Sequence, residues 1–149
     1  MARVHVGKVM FADQSPIGTS EFIVMAVPPD GVALDLSFNV PSSSSRGDIE
    51  VAFDGVKAQE LLRMLTSAVR MAEVGDSIRW ERVGSVQYTW SDRDEEVGSP
   101  GEILVEVRRM TVRLTIRPNP RREKVDYVAI MSLESFRELF KKIETAIAT

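Results

Sequence analysis

Arginine recurs at every fourth position of one strand-like segment, as Arg109, Arg113 and Arg117. The surrounding residues 108–124, RRMTVRLTIRPNPRREK, carry seven basic side chains and one acidic side chain. Guanidinium groups hold phosphates and carboxylates well, so this segment indicates recognition of a polyanion or of an acidic protein surface. Residues four apart on a strand lie on one face about 13 Å apart, comparable to one or two nucleotide steps of an extended single strand.

Strict alternation of apolar and polar residues predicts that this segment is a strand with two different faces. The apolar face would hold Met110, Val112, Leu114 and Ile116, and the polar face Arg109, Thr111, Arg113, Thr115 and Arg117. Such a polar face offers charge for phosphates and hydroxyl groups for hydrogen bonds. Before this segment the apolar residues Ile103, Val105 and Val107 are odd-numbered, whereas from Arg109 onward the odd-numbered positions carry the arginines. The phase therefore changes near Arg108–Arg109, which predicts a β-bulge or a strand break there.

Aromatic side chains supply the second component of single-strand recognition, because bases stack on rings without regard to sequence. Trp80, Tyr88 and Trp90 lie within eleven residues and are the candidates for stacking. Arg79 and Arg82 flank this group and would support phosphate binding. The alternative is that the aromatic rings fill the core between sheet and helices, since large aromatic side chains are usually mostly buried.

The arginines also have a purely structural interpretation. Cross-strand ion pairs with Glu81, Glu102, Glu106 or the acidic loop at 92–96 would absorb several of them into a salt-bridged sheet surface. The sequence leaves this alternative open.

Charge is segregated along the 149-residue chain, whose formal net charge is −3. Residues 1–77 hold 6 basic and 10 acidic side chains, while residues 78–149 hold 13 and 12. A local basic surface can bind a polyanion even when the whole protein is acidic. The first half, with few basic residues, is expected to be chiefly structural.

Several kinds of function lack the residues they need. The chain has no cysteine and one histidine, which excludes thiol catalysis, disulfides and cysteine-based zinc sites. It has no phosphate-binding glycine loop and no nucleophile motif, so we expect no catalytic residue, cofactor or metal. No apolar run is long enough to span a membrane and the segment MARVHVGKVMFADQ lacks the apolar core of a signal peptide, so a cytoplasmic location is expected.

Two segments with apolar residues at three- and four-residue steps predict helices over 56–73 and 133–148. Asp54 and Ser132 are the candidate N-caps, and Gly75 is the stop of the first helix. A shift of 78 residues superposes the two helices, their caps and the preceding strands. The chain is therefore predicted to be a single domain, 1–149, made of two repeats, about 1–75 and 76–149.

Alternating segments upstream of each helix predict four strands per repeat. The predicted strands cover 3–12, 21–29, 32–40 and 48–54 in the first repeat, and 77–83, 85–91, 101–118 and 124–131 in the second. The turn over 28–31 and the loop over 41–48 separate strands of the first repeat. The predicted fold is α+β: two tandem four-strand-plus-helix (ββββα) units, with antiparallel sheets and two helices packed on them.

This layout resembles the Whirly and PUR-repeat proteins and the single-unit coactivator called positive cofactor four. The segment from GEILVEVRRM to the serine-capped helix SLESFRELFKKIETAI is most similar to the coactivator. The resemblance implies binding of single-stranded nucleic acid across the sheets by dimers or larger rings packed through their helices. The corresponding positions here are the outward residues of the strands within 78–90 and 103–117.

These observations favour a non-enzymatic protein that binds single-stranded DNA or RNA. Arg109, Arg113 and Arg117 would hold phosphates, supported by Arg79 and Arg82, while Trp90, Trp80 and Tyr88 would stack bases. A homodimer or higher oligomer through the helix faces is expected. One alternative is a protein-interaction or assembly module of the same fold. A weaker alternative is an enzyme or small-ligand protein with a pocket between sheet and helix.

Overall fold

The structure is a computed structural model that describes residues 4–12, 19–26, 34–39, 48–76, 78–92, 101–118 and 126–148. Within those ranges the chain forms nine strands and two helices. Their bounds are β1 Val4–Ala12, β2 Thr19–Ala26, β3 Leu34–Asn39, β4 Asp48–Phe53, α1 Gly55–Val74, β5 Glu81–Gln87, β6 Trp90–Ser91, β7 Glu102–Arg108, β8 Thr111–Arg117, β9 Tyr127–Ser132 and α2 Leu133–Ala148. The predicted turn over 28–31, nearly all of the loop over 41–48 and residues 93–96 of the acidic loop lie outside the described residues.

The strands form two antiparallel sheets. The first sheet has the order β1-β2-β3-β4-β6, and the second sheet has the order β5-β7-β8-β9. Both present alternating apolar residues to a common core, which includes Leu36 and Phe38 from β3 and Val112 and Leu114 from β8. The predicted α+β class, with antiparallel sheets and two helices packed on them, is confirmed.

The first two strands predicted after residue 76 differ from the observed ones. The sequence predicts separate strands over 77–83 and 85–91, but β5 runs through Gly84 as one strand. A register shift between Arg82 and Gly84 marks a β-bulge, which lets the strand continue beyond this point. The two residues of β6 join the other sheet, where Trp90 lies opposite Ala52 of β4. The two halves are thus only loosely alike, and the division into repeats at 1–75 and 76–149 stays a prediction.

Both helices begin and end where the sequence predicts, within two residues. The Asp54 carboxylate accepts a hydrogen bond of 2.8 Å from the backbone N–H of Lys57. Gly75 ends α1, and its N–H donates to the Met71 carbonyl oxygen at 2.9 Å. The hydroxyl of Ser132 accepts from the N–H of Ser135 at 3.2 Å, so both predicted N-caps are confirmed.

Each helix packs chiefly on the sheet that the other half of the chain supplies. Helix α1 lies against β5 and β7 of the second sheet, and α2 lies against β1 and β2 of the first sheet. The helices also contact each other, and Arg137 of α2 forms a 2.6 Å ion pair with Glu73 of α1. The apolar faces of both helices, centred on Leu65 and Leu139, are therefore buried inside the protein.

The predicted strand break is confirmed as a two-residue turn, Arg109–Met110, between β7 and β8. This turn is hydrogen-bonded to the C-terminal end of α1 and to the N-terminal end of α2. The N–H of Met110 donates to the Ala72 carbonyl oxygen of α1 at 3.3 Å, and the Met110 carbonyl oxygen accepts from Leu133 of α2 at 2.9 Å. The turn also moves Met110 off the apolar face of β8, where the sequence placed it, and leaves it 52% exposed.

Met110 has a left-handed backbone with φ of 58°, and this gives a stability prediction. Glycine adopts that conformation without steric cost, whereas a β-branched residue is strained there. Because the Met110 side chain is largely exposed, Met110→Gly is expected to change the free energy of unfolding little or to raise it, by up to about 1 kcal/mol. Met110→Ile is expected to lower it by about 1–2 kcal/mol. Urea unfolding of both variants measures the difference, and equal stabilities would show that the turn is not left-handed in solution.

Candidate nucleic-acid interface

The pairing of strands in the second sheet determines which polar side chains share a face. Arg82 of β5 lies opposite Glu106 of β7, and Glu106 lies opposite Arg113 of β8. Directly opposed residues project to the same side of a sheet. These residues alternate with the buried Val105, Val107, Val112 and Leu114, so they belong to the side that faces away from the core. We call this side the outer face.

An indole ring at the end of the outer face is covered by two guanidinium groups. The Cζ atoms of Arg108 and Arg113 lie over the Trp80 ring, 4.3 and 4.5 Å from its centroid. Guanidinium groups at such distances are attracted to the ring through cation–π interaction and stacking. Trp80 itself is half-buried and directly precedes β5.

Glu106 holds Arg113 in this position. The Nε and one terminal nitrogen of Arg113 each lie 2.9 Å from the same oxygen, Oε1 of Glu106. Both side chains are mostly shielded from solvent, with exposures of 28% and 19%. The ion-pair alternative is thus confirmed for Arg113, and that arginine is fixed between a carboxylate and an aromatic ring.

More exposed arginines adjoin the residues of this stack in the sequence or in the strand pairing. Arg79, Arg82 and Arg109 are all exposed, and Arg82 donates a hydrogen bond of 3.3 Å to the Ser85 hydroxyl. We call seven residues from β5, β7, β8, the turn between β7 and β8 and the segment just before β5 the Trp80–arginine cluster. They are Arg79, Trp80, Arg82, Glu106, Arg108, Arg109 and Arg113.

The polar face predicted along β8 is confirmed for Arg113 and Arg117, which lie opposite Glu106 and Glu102, but the predicted row of three arginines is interrupted. Arg109 lies in the turn, so strand alternation does not place its side chain beside those of Arg113 and Arg117. Arg117, at the far end of β8, lies outside the cluster and forms a 3.4 Å ion pair with Asp126. Thr115, predicted to offer its hydroxyl, is 5% exposed and is not accessible to a ligand. The three arginines therefore do not form a uniform row.

Two of the three predicted stacking residues lie elsewhere. Tyr88 is fully buried in the core, at 0% exposure, so no face of its ring is open to a base and this prediction is wrong. Trp90 belongs to β6 and therefore to the first sheet, not to the sheet that carries the arginines. Trp80 remains the aromatic residue that the fold brings together with the basic side chains.

Arg108 is the cluster residue that sequence reasoning missed. The two-residue turn places it opposite Thr111, on the outer face with Arg113. The change of phase near Arg108–Arg109 was the sequence signal that could have identified it, because a break there allows a tight hairpin. A tight hairpin there brings Arg108 to the same side of the sheet as the arginine of β8.

Neither clustered metal ligands nor a membrane-spanning helix is found among the described residues. No group of three or more His, Asp or Glu side chains among them is arranged so that it could hold a metal ion. Neither α1 nor α2 is long and apolar enough to cross a bilayer, within the part of the chain that the structure describes. His5 lies on β1, and its side chain is not among those described.

Comparison with known proteins finds no relative. No family model, no curated protein and no solved structure matches this chain. Functional inference therefore depends on the geometry of the chain itself.

Proposed function

We propose that this is a non-enzymatic protein that binds single-stranded nucleic acid through the Trp80–arginine cluster. The observation that carries the proposal is the stack of Arg108 and Arg113 on Trp80, at 4.3 and 4.5 Å from the ring centroid. It combines an aromatic surface with guanidinium groups at one end of a sheet, and these are the two components that single-strand binding requires.

The local charge supports a polyanionic ligand. The cluster contains five arginines and one glutamate, and Glu81 beside it adds a second negative charge, so the formal local charge is +3. The other end of the outer face is different, because Arg117 is paired with Asp126 and Glu102 lies opposite Arg117. A backbone phosphate is attracted to the Trp80 end and gains little at the Arg117 end.

The geometry also suits stacking. Exposed apolar side chains border the cluster in sequence, with Ile78 at 87% and Met110 at 52% exposure. A base that stacks on Trp80 replaces a guanidinium group on the ring, and the released arginine is then free for a phosphate. Because Glu106 keeps Arg113 in place, Arg108 is the group we expect to move.

The test is fluorescence anisotropy with labelled oligo-dT, oligo-U and duplex DNA. If three or four arginines contact phosphates, raising the salt from about 50 to about 200 mM weakens single-strand binding roughly 20- to 50-fold. Arg109→Glu is expected to weaken it about tenfold or more at the lower salt, since it replaces an attraction with a repulsion. Arg63→Glu, the same change at an exposed site on α1, is the matched control and leaves the affinity unchanged.

A protein-interaction module is the second candidate, favoured by the ion pair of Arg113 with Glu106. An arginine already paired within the protein is less available to phosphates and is suited to a surface of mixed charge. The absence of oligonucleotide binding at low salt would support this candidate instead. Self-association and a cytoplasmic location stay predictions. Because the apolar faces of the described helices are buried, Val56 and Val74 are the large apolar side chains that these helices expose to a second copy.

A further inference from the structure

Among the described strands, β5 forms one edge of the second sheet. It pairs with β7 on one side, and no other described strand pairs with it. Four of its seven residues are exposed and one is buried, whereas in β7 the pattern is reversed, with four buried and none exposed. Alternate backbone N–H and C=O groups of an edge strand point outward and are free to bind another strand.

Helix α1 runs beside this edge and turns it into a groove of about 350 Å³. The residues that line it come from one turn after another of α1 and from the middle of β5. They are Glu60, Arg63, Met64, Ser67, Val83, Gly84, Ser85 and Val86. Val83 provides most of the accessible apolar surface, because Met64 and Val86 are buried, and the position above Gly84 is already bordered by the Met64 side chain, 3.5 Å from where a Cβ would lie.

Charge in the groove is unbalanced. Glu60 is engaged by Lys57 of the same helix, with an N–O distance of 3.6 Å. Arg63 is exposed and has no ion pair with any described residue. The Ser85 hydroxyl accepts a hydrogen bond from Arg82, which keeps that side chain at the rim. Among the described residues, the charged group of the groove that lacks an ion-pair partner is therefore the Arg63 guanidinium, which favours a carboxylate on the occupant.

We infer that this groove binds an extended, acidic peptide segment of another protein, which adds to the second sheet as a strand along β5. Backbone hydrogen bonds to the edge supply affinity, and pockets for alternate side chains supply selectivity. An apolar side chain of the peptide packs against Val83 at the edge of the strand, and an Asp or Glu pairs with Arg63. This site uses the side of the sheet next to α1 and meets the Trp80–arginine cluster only at its rim, where Arg82 bonds to Ser85.

The probe is a random twelve-residue peptide library displayed on phage and selected against the wild-type protein. The enriched sequence is then synthesised with a fluorophore and measured by anisotropy. We expect enriched peptides to alternate apolar and polar residues and to contain at least one Asp or Glu. Proline is placed at each of two adjacent central residues in turn, and it is expected to abolish binding in the peptide whose replaced N–H donates to the edge strand.

Two variants of the protein separate this site from the proposed nucleic-acid site. Arg63→Glu is expected to weaken peptide binding about tenfold, the factor for a lost charge-assisted hydrogen bond of about 1.4 kcal/mol. Arg109→Glu is expected to leave peptide binding unchanged. For oligo-dT the expectation is the reverse: Arg109→Glu weakens binding and Arg63→Glu does not. Each proposal can therefore fail while the other holds.

Three outcomes overturn the inference. The first is a selection that enriches no sequence, or peptides that bind wild type and Arg63→Glu equally. The second is a concentration-dependent dimer that Arg63→Glu abolishes, which assigns the groove to a second copy of this chain. The third is loss of oligo-dT binding in Arg63→Glu, which assigns the groove to nucleic acid.

Discussion

The two halves of this chain, residues 1–76 and 77–149, are expected to remain unfolded when separated and to fold when mixed. The reason is the crossed packing of the helices. Helix α1 covers β5 and β7, while α2 covers β1 and β2. Either half alone would expose the apolar face of its own sheet, and β4 would also lose its pairing with β6. Burial of those faces is the main favourable contribution to folding, so its loss is not compensated.

Circular dichroism and urea unfolding of each fragment, and of an equimolar mixture, test this expectation. We expect flat unfolding curves for the separate fragments and a cooperative transition for the mixture. Cooperative unfolding of a monomeric 1–76 fragment would contradict it, because the first sheet would then need neither α2 nor β6. Sedimentation velocity shows whether a fragment that does fold is a monomer.

Gly101→Ala is expected to destabilise the fold strongly, because the new methyl group would enter space that the backbone already fills. Gly101 is buried just before β7, where an added Cβ would overlap the backbone carbonyl oxygen of Arg117 and lie 2.6 Å from the Tyr88 hydroxyl. A backbone oxygen cannot move aside as a flexible side chain can. We expect the free energy of unfolding to fall by about 3 kcal/mol or more, at the upper end for overpacked sites.

Gly55→Ala is the matched control for that prediction. Gly55 begins α1, and an added Cβ there meets nothing within 4 Å. Removing a glycine from a helix at an open position is expected to leave stability unchanged or to raise it by about 0.5–1 kcal/mol. If urea unfolding gives the same result for both substitutions, the close packing of Gly101 against Arg117 is not present in solution.

Local patterns predicted the helices well because the signals lie within the helix segments themselves. The apolar spacing of α2, with Phe136, Leu139 and Ile143 on one face, determines a buried side, and Ser132 marks where the helix begins. The alternation of Val112, Leu114 and Ile116 likewise fixed the inner face of β8. These features need no knowledge of what packs against them.

The candidate site was only partly predictable, since it depends on strand pairing between distant residues. Glu106 was one of several possible partners of the arginines in the sequence, and nothing there indicates that Trp90 leaves its neighbours to pair with β4. Tyr88 and Trp80 are alike as sequence signals, yet one is fully buried and the other holds two guanidinium groups. Both residues flank β5 outside the strand itself, so their burial depends on what packs against these flanks, which a single sequence does not reveal.

The central claim is that single-stranded nucleic acid binds at Trp80, and the fluorescence of that residue tests it most directly. The chain has two tryptophans, so Trp90→Phe leaves Trp80 as the single indole emitter. We expect titration with oligo-dT at about 50 mM salt to change Trp80 emission with the same midpoint as anisotropy, and to reverse at about 200 mM. Oligo-dT that binds without altering Trp80 emission, or that does not bind at all, would contradict this account of the site.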